Sequence, residues 1–295
     1  MRRAFAILSI AVAGWCGGSV AQITGGSPQA ASPSASTALP SGSTASSSSP
    51  SGSAASASPS ATSPSAAAAG VPGARGVEAL SALLREATAA HAHLRDYTCT
   101  FTRQERLQGV LGAEEVALMQ VRVQPLGVRV RFTQPQAVAG LELAYSAQSR
   151  PGKVRLRPAG PDGLKGFRLL ETDDPKFLAA HRYPLPQWTI GALLQRLHAL
   201  IERERGLRNP IEVLTADYLY AQQDVTRYEL LLRRPHAFRS AARAILYVDK
   251  KTKLPLRYEA YTSTQPSAPH SDLLEMYSYT DLRLNTGLSE KVFAE

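Results

Sequence analysis

The sequence predicts an α+β domain in which helices pack on the concave side of a curved antiparallel β-sheet. Apolar residues recur every three or four positions at 77–94 and again at 190–201, which is typical of amphipathic helices. Elsewhere apolar and polar residues alternate in many short segments, as they do in half-buried strands. The order of these segments is helix, strands, helices and strands, so we expect one sheet with helices on one of its faces.

The composition limits the classes of protein to which this chain can belong. Of its 295 residues, 33 are Lys or Arg and 24 are Asp or Glu, which gives a net charge of +9. The longest apolar run, residues 4–15, is too short to span a bilayer, so a multi-spanning membrane protein is excluded. The presence of only two cysteines excludes a disulfide scaffold and a Cys-rich zinc domain.

Residues 1–21 are predicted to be a secretory signal peptide. Arg2 and Arg3 begin the segment, an apolar stretch follows, and small residues precede a cleavage position after Ala21. We therefore expect an exported protein of the periplasm or cell envelope. Cys16 leaves lipoprotein anchoring open as an alternative, but the bulky Trp15 before it favours soluble export.

Residues 22–75 are predicted to be a disordered linker. They are almost entirely Ser, Ala, Pro, Gly and Thr. Such a segment buries too little apolar surface to offset the entropy lost on ordering. The linker is either a spacer that holds the domain away from a surface or an inert leader. The folded part is expected to be a single domain at residues 76–295.

The first half of the domain is predicted to be a helix followed by a meander of strands. The helix covers residues 77–94. Tyr97, Cys99 and Phe101 then alternate with threonines, which predicts a strand with one side facing the core. The same alternation predicts strands at 117–123, 128–132, 141–147 and 153–157.

The second half is predicted to be helices followed by a second meander. Asp174 and Pro175 begin a short helix that ends near residue 181, and Thr189 is suited to cap a helix that Gly206 ends. The strands of the second meander are expected at 211–221, 226–234, 243–248, 256–261 and 273–285.

No motif in the sequence indicates a cofactor, a metal centre or a known catalytic site, and we expect the protein not to be an enzyme. Cys99 is predicted to be a buried, inert thiol. His91 and His93 are two positions apart on a helix and cannot bind one metal ion together. Glu259 and Glu275 lie on neighbouring predicted strands, so a hydrolase that uses this acidic pair remains an alternative.

Arginines occupy polar positions of several strands in the first meander. Like charges on neighbouring strands repel each other, so an anionic component of the cell envelope could stabilise this face. Alternatively, nearby glutamates neutralise the face without a partner. Nucleic acid is not expected as a partner, because the protein is predicted to be exported. The candidates for an anionic-partner face are Arg122, Arg129, Arg131, Arg155 and Arg157.

Aromatic residues are frequent in the predicted strands and could line a cavity on the concave side of the sheet. A hydrophobic cavity under helices is a common design for ligand binding. The same side chains could equally form an ordinary core. The candidate cavity residues are Tyr97, Phe101, Met119, Phe132, Tyr145, Tyr258, Tyr261 and Tyr277.

Three segments carry a resemblance to a known family. They are DYTCTF at 96–101, HRYP at 181–184, and LPLRYEAY at 254–261 followed by YSYTDLRLN at 277–285. Together they resemble the exported bacterial family called domain of unknown function 1571, over residues 80–295. The last segment also resembles, more distantly, the LolA, LolB and RseB group of lipoprotein carriers and envelope sensors. That resemblance implies an open half-barrel, LolA-like, that holds acyl chains beneath helices.

These observations lead to one functional expectation and two alternatives. We expect an exported cell-envelope binding protein that holds a hydrophobic ligand, such as an acyl chain or a lipoprotein-like ligand, in the cavity of a half-barrel. The first alternative is an envelope sensor or scaffold that binds another protein without lipid. The second is the hydrolase described above. The sequence leaves the ligand, the protein partner and the oligomeric state open.

Overall fold

The structure is a computed structural model that describes residues 69–71, 74–234, 240–265 and 271–294. The predicted signal peptide and most of the predicted linker lie outside these residues. The end of the linker differs from the expectation, because residues 69–71 form a strand and the first helix begins at Ala74. The strand pairs through its backbone with the strand at Ile211–Tyr220. Backbone pairing needs no apolar side chains, so the composition could not predict it.

The described residues form thirteen β-strands and four α-helices. In chain order they are β1 Ala69–Val71, α1 Ala74–Ala92, β2 Asp96–Leu107, β3 Val110–Leu111, β4 Glu115–Arg122, β5 Gly127–Gln134, β6 Glu142–Ser146, β7 Lys153–Arg157, β8 Arg168–Glu171, α2 Pro175–Ala180, α3 Ile190–Gly206, β9 Ile211–Tyr220, β10 Gln223–Leu232, β11 Arg243–Asp249, β12 Pro255–Tyr261, β13 Leu273–Leu284 and α4 Lys291–Ala294. Short 3-10 turns occupy Gly160–Lys165 and Leu185–Trp188. All strands and helices predicted for the domain are present, and β1, β3, β8 and α4 are additional.

The strands form one antiparallel sheet that is not closed. Its order is β1-β9-β10-β11-β12-β13-β2-β4-β5-β6-β7-β8, and β3 extends β2 to the side. Strands β1 and β8 therefore lie at opposite edges. The two predicted meanders join where β13 pairs with β2. The predicted α+β class with an open antiparallel sheet is confirmed.

Strand alternation divides the sheet into two faces, and α1, α2 and α3 cover one of them. On β2, Tyr97, Cys99 and Phe101 are buried on the side of the helices, whereas Thr98 and Thr100 are on the other side. We call these the helix-covered face and the opposite face. Helix α3 begins as predicted, because the hydroxyl of Thr189 accepts a hydrogen bond of 3.3 Å from the backbone N–H of Ala192.

Helix α1 packs against α3 and β9, and it approaches α3 closely at a glycine. A Cβ atom on Gly191 would lie 2.6 Å from Cε1 of His91. That separation is shorter than any normal contact, so a larger residue at position 191 would require the His91 side chain to move.

The C-terminal segment packs on the opposite face, which differs from the expectation that helices would lie on one side only. Helix α4 contacts β5 and β6, and its Phe293 is buried against Gly127. The carboxylate of Asp96 begins this segment by accepting hydrogen bonds from the backbone N–H groups of residues 286–288. These contacts depend on the tertiary structure. A helix of four residues is too short to show the periodicity by which helices are predicted from sequence.

Candidate functional site

The centre of the helix-covered face is a solid aromatic core. Five of the predicted cavity residues are at most 1% exposed, and they pack against one another and against the segment that precedes α3. Those five are Tyr97, Phe101, Met119, Phe132 and Tyr277. The filled core corresponds to the alternative that these side chains form an ordinary core.

Trp188 occupies the space in which a ligand was expected. Its ring centroid lies 6.0 Å from that of Phe101, 6.1 Å from Phe177 and 6.4 Å from Phe132. Its indole N–H donates to the carbonyl of Tyr183 at 2.9 Å, and its own carbonyl accepts from the hydroxyl of Tyr279 at 2.8 Å. Trp188 is therefore held by both packing and hydrogen bonds.

The remaining three cavity candidates are divided between the two faces. Tyr258 is buried and Tyr145 is half-buried on the helix-covered face. Tyr261 lies on the opposite face, where its hydroxyl donates to Glu259 at 2.8 Å. Its assignment to the cavity was wrong. Tyr258 and Tyr261 are three positions apart on one strand, and an odd spacing places side chains on opposite faces.

A cluster of charged and tyrosine side chains lies beside the aromatic core. Its members are Arg103, Glu105, Glu115, His181, Arg182, Tyr183, Glu275 and Tyr277, and we call it the buried polar cluster. Residues 103–105 on β2 and 275–277 on β13 are register partners, so Glu105 and Glu275 are direct neighbours across the two strands. The segment before α3 supplies a cation, Arg182, and a hydroxyl, that of Tyr183, which both contact Glu275.

Hydrogen bonds and ion pairs connect the members of the buried polar cluster. Arg103 donates to Glu115 at 2.7 Å and to Nδ1 of His181 at 2.9 Å. Glu105 accepts from the hydroxyl of Tyr277 and, at 3.1 Å, from the backbone N–H of Arg182. The Arg182 guanidinium lies 2.9 Å from Glu275. This network fixes the extended segment 181–184 to the sheet.

Burial sets the ionisation of this cluster. It raises the pKa of Glu275, and the charge of Glu105 adds to that effect, although Arg182 and Tyr183 oppose it. Burial also lowers the pKa of His181 well below its ordinary value, and Arg103 lowers it further. His181 is therefore neutral, which agrees with its acceptance of a hydrogen bond from Arg103.

The acidic pair predicted from the sequence is not assembled. Glu259 is the register partner of Met276, and Glu275 is the register partner of Ala260. The two carboxylates therefore lie on opposite faces of the sheet. The hydrolase alternative that rested on this pair is wrong, because spacing along each strand did not reveal the register between the strands.

Four of the five arginines of the predicted basic face have partners within the chain, and for two of these four the partner is a carboxylate. Arg122 forms an ion pair with Glu290, and Arg129 with Glu142 at 2.9 Å. Arg155 donates to the carbonyl of Ala294 at 2.6 Å. Arg157 donates to the carbonyl of Gly163 at 3.0 Å. Arg131 is exposed and has no partner among the described residues. The ion pairs neutralise the charges of Arg122 and Arg129, and the anionic-partner face stays a prediction.

An open space lies at one end of the helix-covered face, where α1 ends, α3 begins and β4 turns into β5. It is a groove of about 910 Å³. None of the eight predicted cavity residues lines it. Its apolar lining comes from Ala92, Leu94, Val121, Val123, Leu126, Ala192, Leu194 and Leu288.

The polar lining of the groove carries an excess of potentially cationic groups. They are His91, Arg95, Arg122 and His198, and the one carboxylate is that of Asp96. Burial disfavours the charge on Asp96, but the hydrogen bonds from Thr286, Leu288 and Gly287 outweigh this effect and lower the pKa of its carboxyl. Burial lowers the pKa of His91. The Asp96 carboxylate is thus already occupied by the chain itself.

Other candidate groups give no further site among the described residues. Cys99 is buried and free, and burial raises the pKa of its thiol, so it is unreactive as predicted. Within the described ranges there is no group of three or more His, Cys, Asp or Glu side chains that could hold a metal ion. The helices that the structure describes include none long and apolar enough to cross a membrane.

Comparison with known families places the chain. The model of a family of proteins of unknown function, DUF1571, matches residues 94–295, so the chain belongs to this family. The family predicted from the three sequence segments is therefore confirmed. A search of curated proteins found no match.

Several solved structures resemble this one at low identity. The lipoprotein LppX of Mycobacterium tuberculosis is 12% identical, with 72% of this chain and 98% of that chain covered and a TM-score of 0.43. A chain of the MucA/MucB complex of Pseudomonas aeruginosa is 15% identical, with 72% of this chain and 59% of that chain covered and a TM-score of 0.41. A LolA superfamily protein from Nitrosomonas europaea is 12% identical, with 73% of this chain and 97% of that chain covered and a TM-score of 0.29.

The sequence did not reveal three features of the site. Trp188 was not predicted to belong to the site, although a large aromatic residue between Pro186 and the N-cap of α3 is the kind of residue that packs into a core. Glu105 and Glu275 meet only because β2 pairs with β13, and no local pattern specifies that pairing. The groove is bounded by the ends of elements, and side chains at such ends have no periodicity by which to find them.

Proposed function

We propose that this protein is an exported, non-enzymatic binding protein of the cell envelope that holds a hydrophobic ligand in the groove between α1, α3 and β4. The groove carries this proposal, because it is an open, partly apolar space beside the filled aromatic core. Its volume of about 910 Å³ is within the range of ligand pockets, which is roughly 300–1,000 Å³. The apolar run and cleavage position at the N-terminus support export.

The domain organisation forms part of the same proposal. Residues 1–21 would direct export, the Ser/Ala/Pro-rich segment after them would be a spacer, and the domain from residue 76 would bind the ligand. In this scheme the protein is soluble rather than anchored at Cys16, because Trp15 is a poor residue before a lipoprotein cleavage position.

The groove can be tested by filling it. Ala192 lines the groove on α3, and Ala199 is an exposed residue of the same helix outside it. We expect Ala192→Trp to abolish binding of tetradecanol, because the indole would occupy the space of the aliphatic chain. Ala199→Trp is the matched control and should bind as the wild type does. Binding is measured by native mass spectrometry of protein purified without detergent and by displacement of the neutral dye N-phenyl-1-naphthylamine.

The control measurement is stability, because a ligand site must be distinguished from the core. Both tryptophan variants should unfold in urea within about 1 kcal/mol of the wild type, since neither replaces a packed side chain. The proposal fails if the wild type binds neither dye nor tetradecanol, or if Ala192→Trp binds both normally while it is folded.

A protein-binding function is the second candidate, and one feature of the opposite face favours it. Tyr220, Tyr247 and Tyr261 are half-buried there among Arg257 and Glu259, and no helix among the described residues covers them. Tyr and Arg are enriched in protein interfaces. A photo-crosslinking residue at position 247 should capture a discrete envelope protein if this face is an interface. Capture equal to that from exposed Leu164 would contradict it.

A further inference from the structure

The groove combines an apolar wall with a cation that nothing in the described chain neutralises. The guanidinium of Arg95 lines the groove, and Arg95 is exposed. Its side chain has no ion pair or hydrogen-bond partner among the described residues. Every other charged side chain of fixed sign in the lining is engaged, because Arg122 pairs with Glu290 and Asp96 binds residues 286–288.

The backbone of Arg95 is held firmly, although its side chain is free. Its N–H donates to the side-chain oxygen of Asn285 at 2.9 Å, and its carbonyl accepts from the N–H of Val123 at 2.9 Å. Arg95 lies between α1 and β2, so these two bonds fix the base of the side chain at the rim of the groove. A charge placed in this way can meet one end of a ligand whose apolar part lies along Val121 and Leu194.

We propose that the ligand of this groove is an amphipathic anion, an aliphatic chain with one terminal carboxylate or phosphate, and that Arg95 binds its anionic end. This inference rests on the proposed function and specifies its ligand class. Guanidinium groups bind both oxyanions through two parallel N–H donors, so the arrangement accommodates either head group. The only carboxylate in the lining, Asp96, is held by the backbone N–H groups of residues 286–288, so its oxygens form no ion pair with Arg95.

The unpaired guanidinium favours an anion over a neutral or cationic ligand. The side chains of fixed charge in the lining are Arg95, Arg122 and Asp96. Arg122 and Glu290 cancel each other, and Asp96 lies among three backbone N–H groups. Arg95 is therefore the cation of fixed charge in the lining that has no carboxylate partner among the described residues, and it can donate directly to an anionic head group.

The test compares ligands that share a chain and differ in the head group. The affinities of tetradecanoic acid, tetradecyl phosphate and tetradecanol are measured by their displacement of N-phenyl-1-naphthylamine from the exported full-length protein at pH 8 and low salt. We expect both anions to bind about threefold to fivefold more tightly than the alcohol, as one exposed charge-assisted contact provides. The preference should weaken as salt is added. Acetate and inorganic phosphate, which lack the chain, should not displace the dye.

Two variants assign the preference to one residue. Arg95→Gln should bind all three ligands with the affinity that the wild type has for the alcohol. Arg85→Gln removes an exposed arginine of α1 outside the groove and should keep the preference. Retention of the preference in Arg95→Gln would overturn the assignment.

The results also separate this inference from the proposed function. Equal binding of acid, phosphate and alcohol by the wild type, all blocked by Ala192→Trp, would overturn the anionic ligand and leave the hydrophobic groove intact. No binding of any of the three ligands by the wild type would overturn both.

Discussion

The centre and the end of the helix-covered face are built from the same sheet and the same helices, yet one is filled and the other is open. At the centre, large side chains reach inward from both layers, and Trp188 closes the space above Phe101. At the end, the first residues of α3 that line the groove are small, namely Gly191 and Ala192. The open space therefore lies beside small side chains at the start of a helix and not along the aromatic wall of the sheet.

The two regions also differ in how they treat charge. The centre buries Glu105 and Glu275 side by side and compensates them with side chains from a distant segment. The groove has one buried carboxylate, Asp96, which backbone N–H groups satisfy. Burying charge is costly in both regions. The centre compensates it mainly with side chains, whereas the groove uses the backbone N–H groups of residues 286–288.

The largest expected effect comes from emptying the centre. Trp188→Ala should lower the free energy of unfolding by about 3–5 kcal/mol, because it removes a fully buried ring. It also removes the indole hydrogen bond to the carbonyl of Tyr183 and weakens the hydrogen bond from the hydroxyl of Tyr279 to the backbone. Urea unfolding followed by circular dichroism measures it. Gln187→Ala, at the exposed neighbouring position, is the control and should change stability by less than about 0.5 kcal/mol. A loss below about 1 kcal/mol for Trp188→Ala would show that the centre is not a packed core.

A smaller effect is expected at the rim of the groove. Asp96→Asn should lower the free energy of unfolding by about 1.5–3 kcal/mol, because an amide provides one acceptor in place of two charged ones. Asp281→Asn is the control, since Asp281 is exposed and its φ of 52° suits asparagine as well.

The pH dependence of the Asp96 contribution has a definite sign. Because the folded pKa of Asp96 is lower than its ordinary value of 3.8, the carboxylate stabilises the fold above pH 3.8. That stabilisation is lost as the pH falls through the folded pKa. The difference between wild type and Asp96→Asn should therefore be constant near neutral pH and shrink below pH 3.8. A difference that grows in acid would contradict the proposed role of the backbone donors.

The smallest effect is expected for a carboxylate of the centre. Glu275→Gln should change stability at pH 7 by less than about 1 kcal/mol, because burial already disfavours the charge that the substitution removes. Urea titrations of both proteins between pH 7 and pH 5 measure the sign. A cost of 3–5 kcal/mol at pH 7 would instead show that the ion pair with Arg182 dominates.

The sign for Glu275 is opposite to that for Asp96. Its folded pKa is raised above the ordinary value of 4.5, so the native state binds the proton more tightly than the unfolded chain does. Stability of the wild type relative to Glu275→Gln should rise as the pH falls from 7 towards 4.5. A relative stability that does not change over this range would contradict the raised pKa.

Much of the fold could be predicted because local pattern and burial agree. The alternation of Tyr97, Cys99 and Phe101 assigned a strand and its buried side, and Thr189 marked the start of α3. The same alternation places Tyr258 and Tyr261 on different faces, so that error lay in grouping aromatic residues without applying their spacing. The family followed from three short segments that are far apart in the sequence.

The site could be predicted only in part, because it depends on which strands are neighbours. The register of β12 and β13 separates Glu259 from Glu275, and the pairing of β2 with β13 places Glu105 beside Glu275. A shift of one residue would reverse these faces. The internal partners of Arg122 and Arg155 come from the C-terminal segment, more than a hundred residues away in the sequence.

The amino-acid sequence was sufficient to predict the class of the fold, the order of its elements, the N-cap of α3 and the burial of Cys99. These properties follow from side-chain periodicity and local hydrogen bonding, which act over a few residues. The three-dimensional packing was needed to show that the aromatic wall is filled, that Arg122 and Arg129 are paired within the chain and that a groove opens beside Arg95. Those properties depend on the register between strands and on the meeting of element ends, where contacts join residues that are distant in the chain.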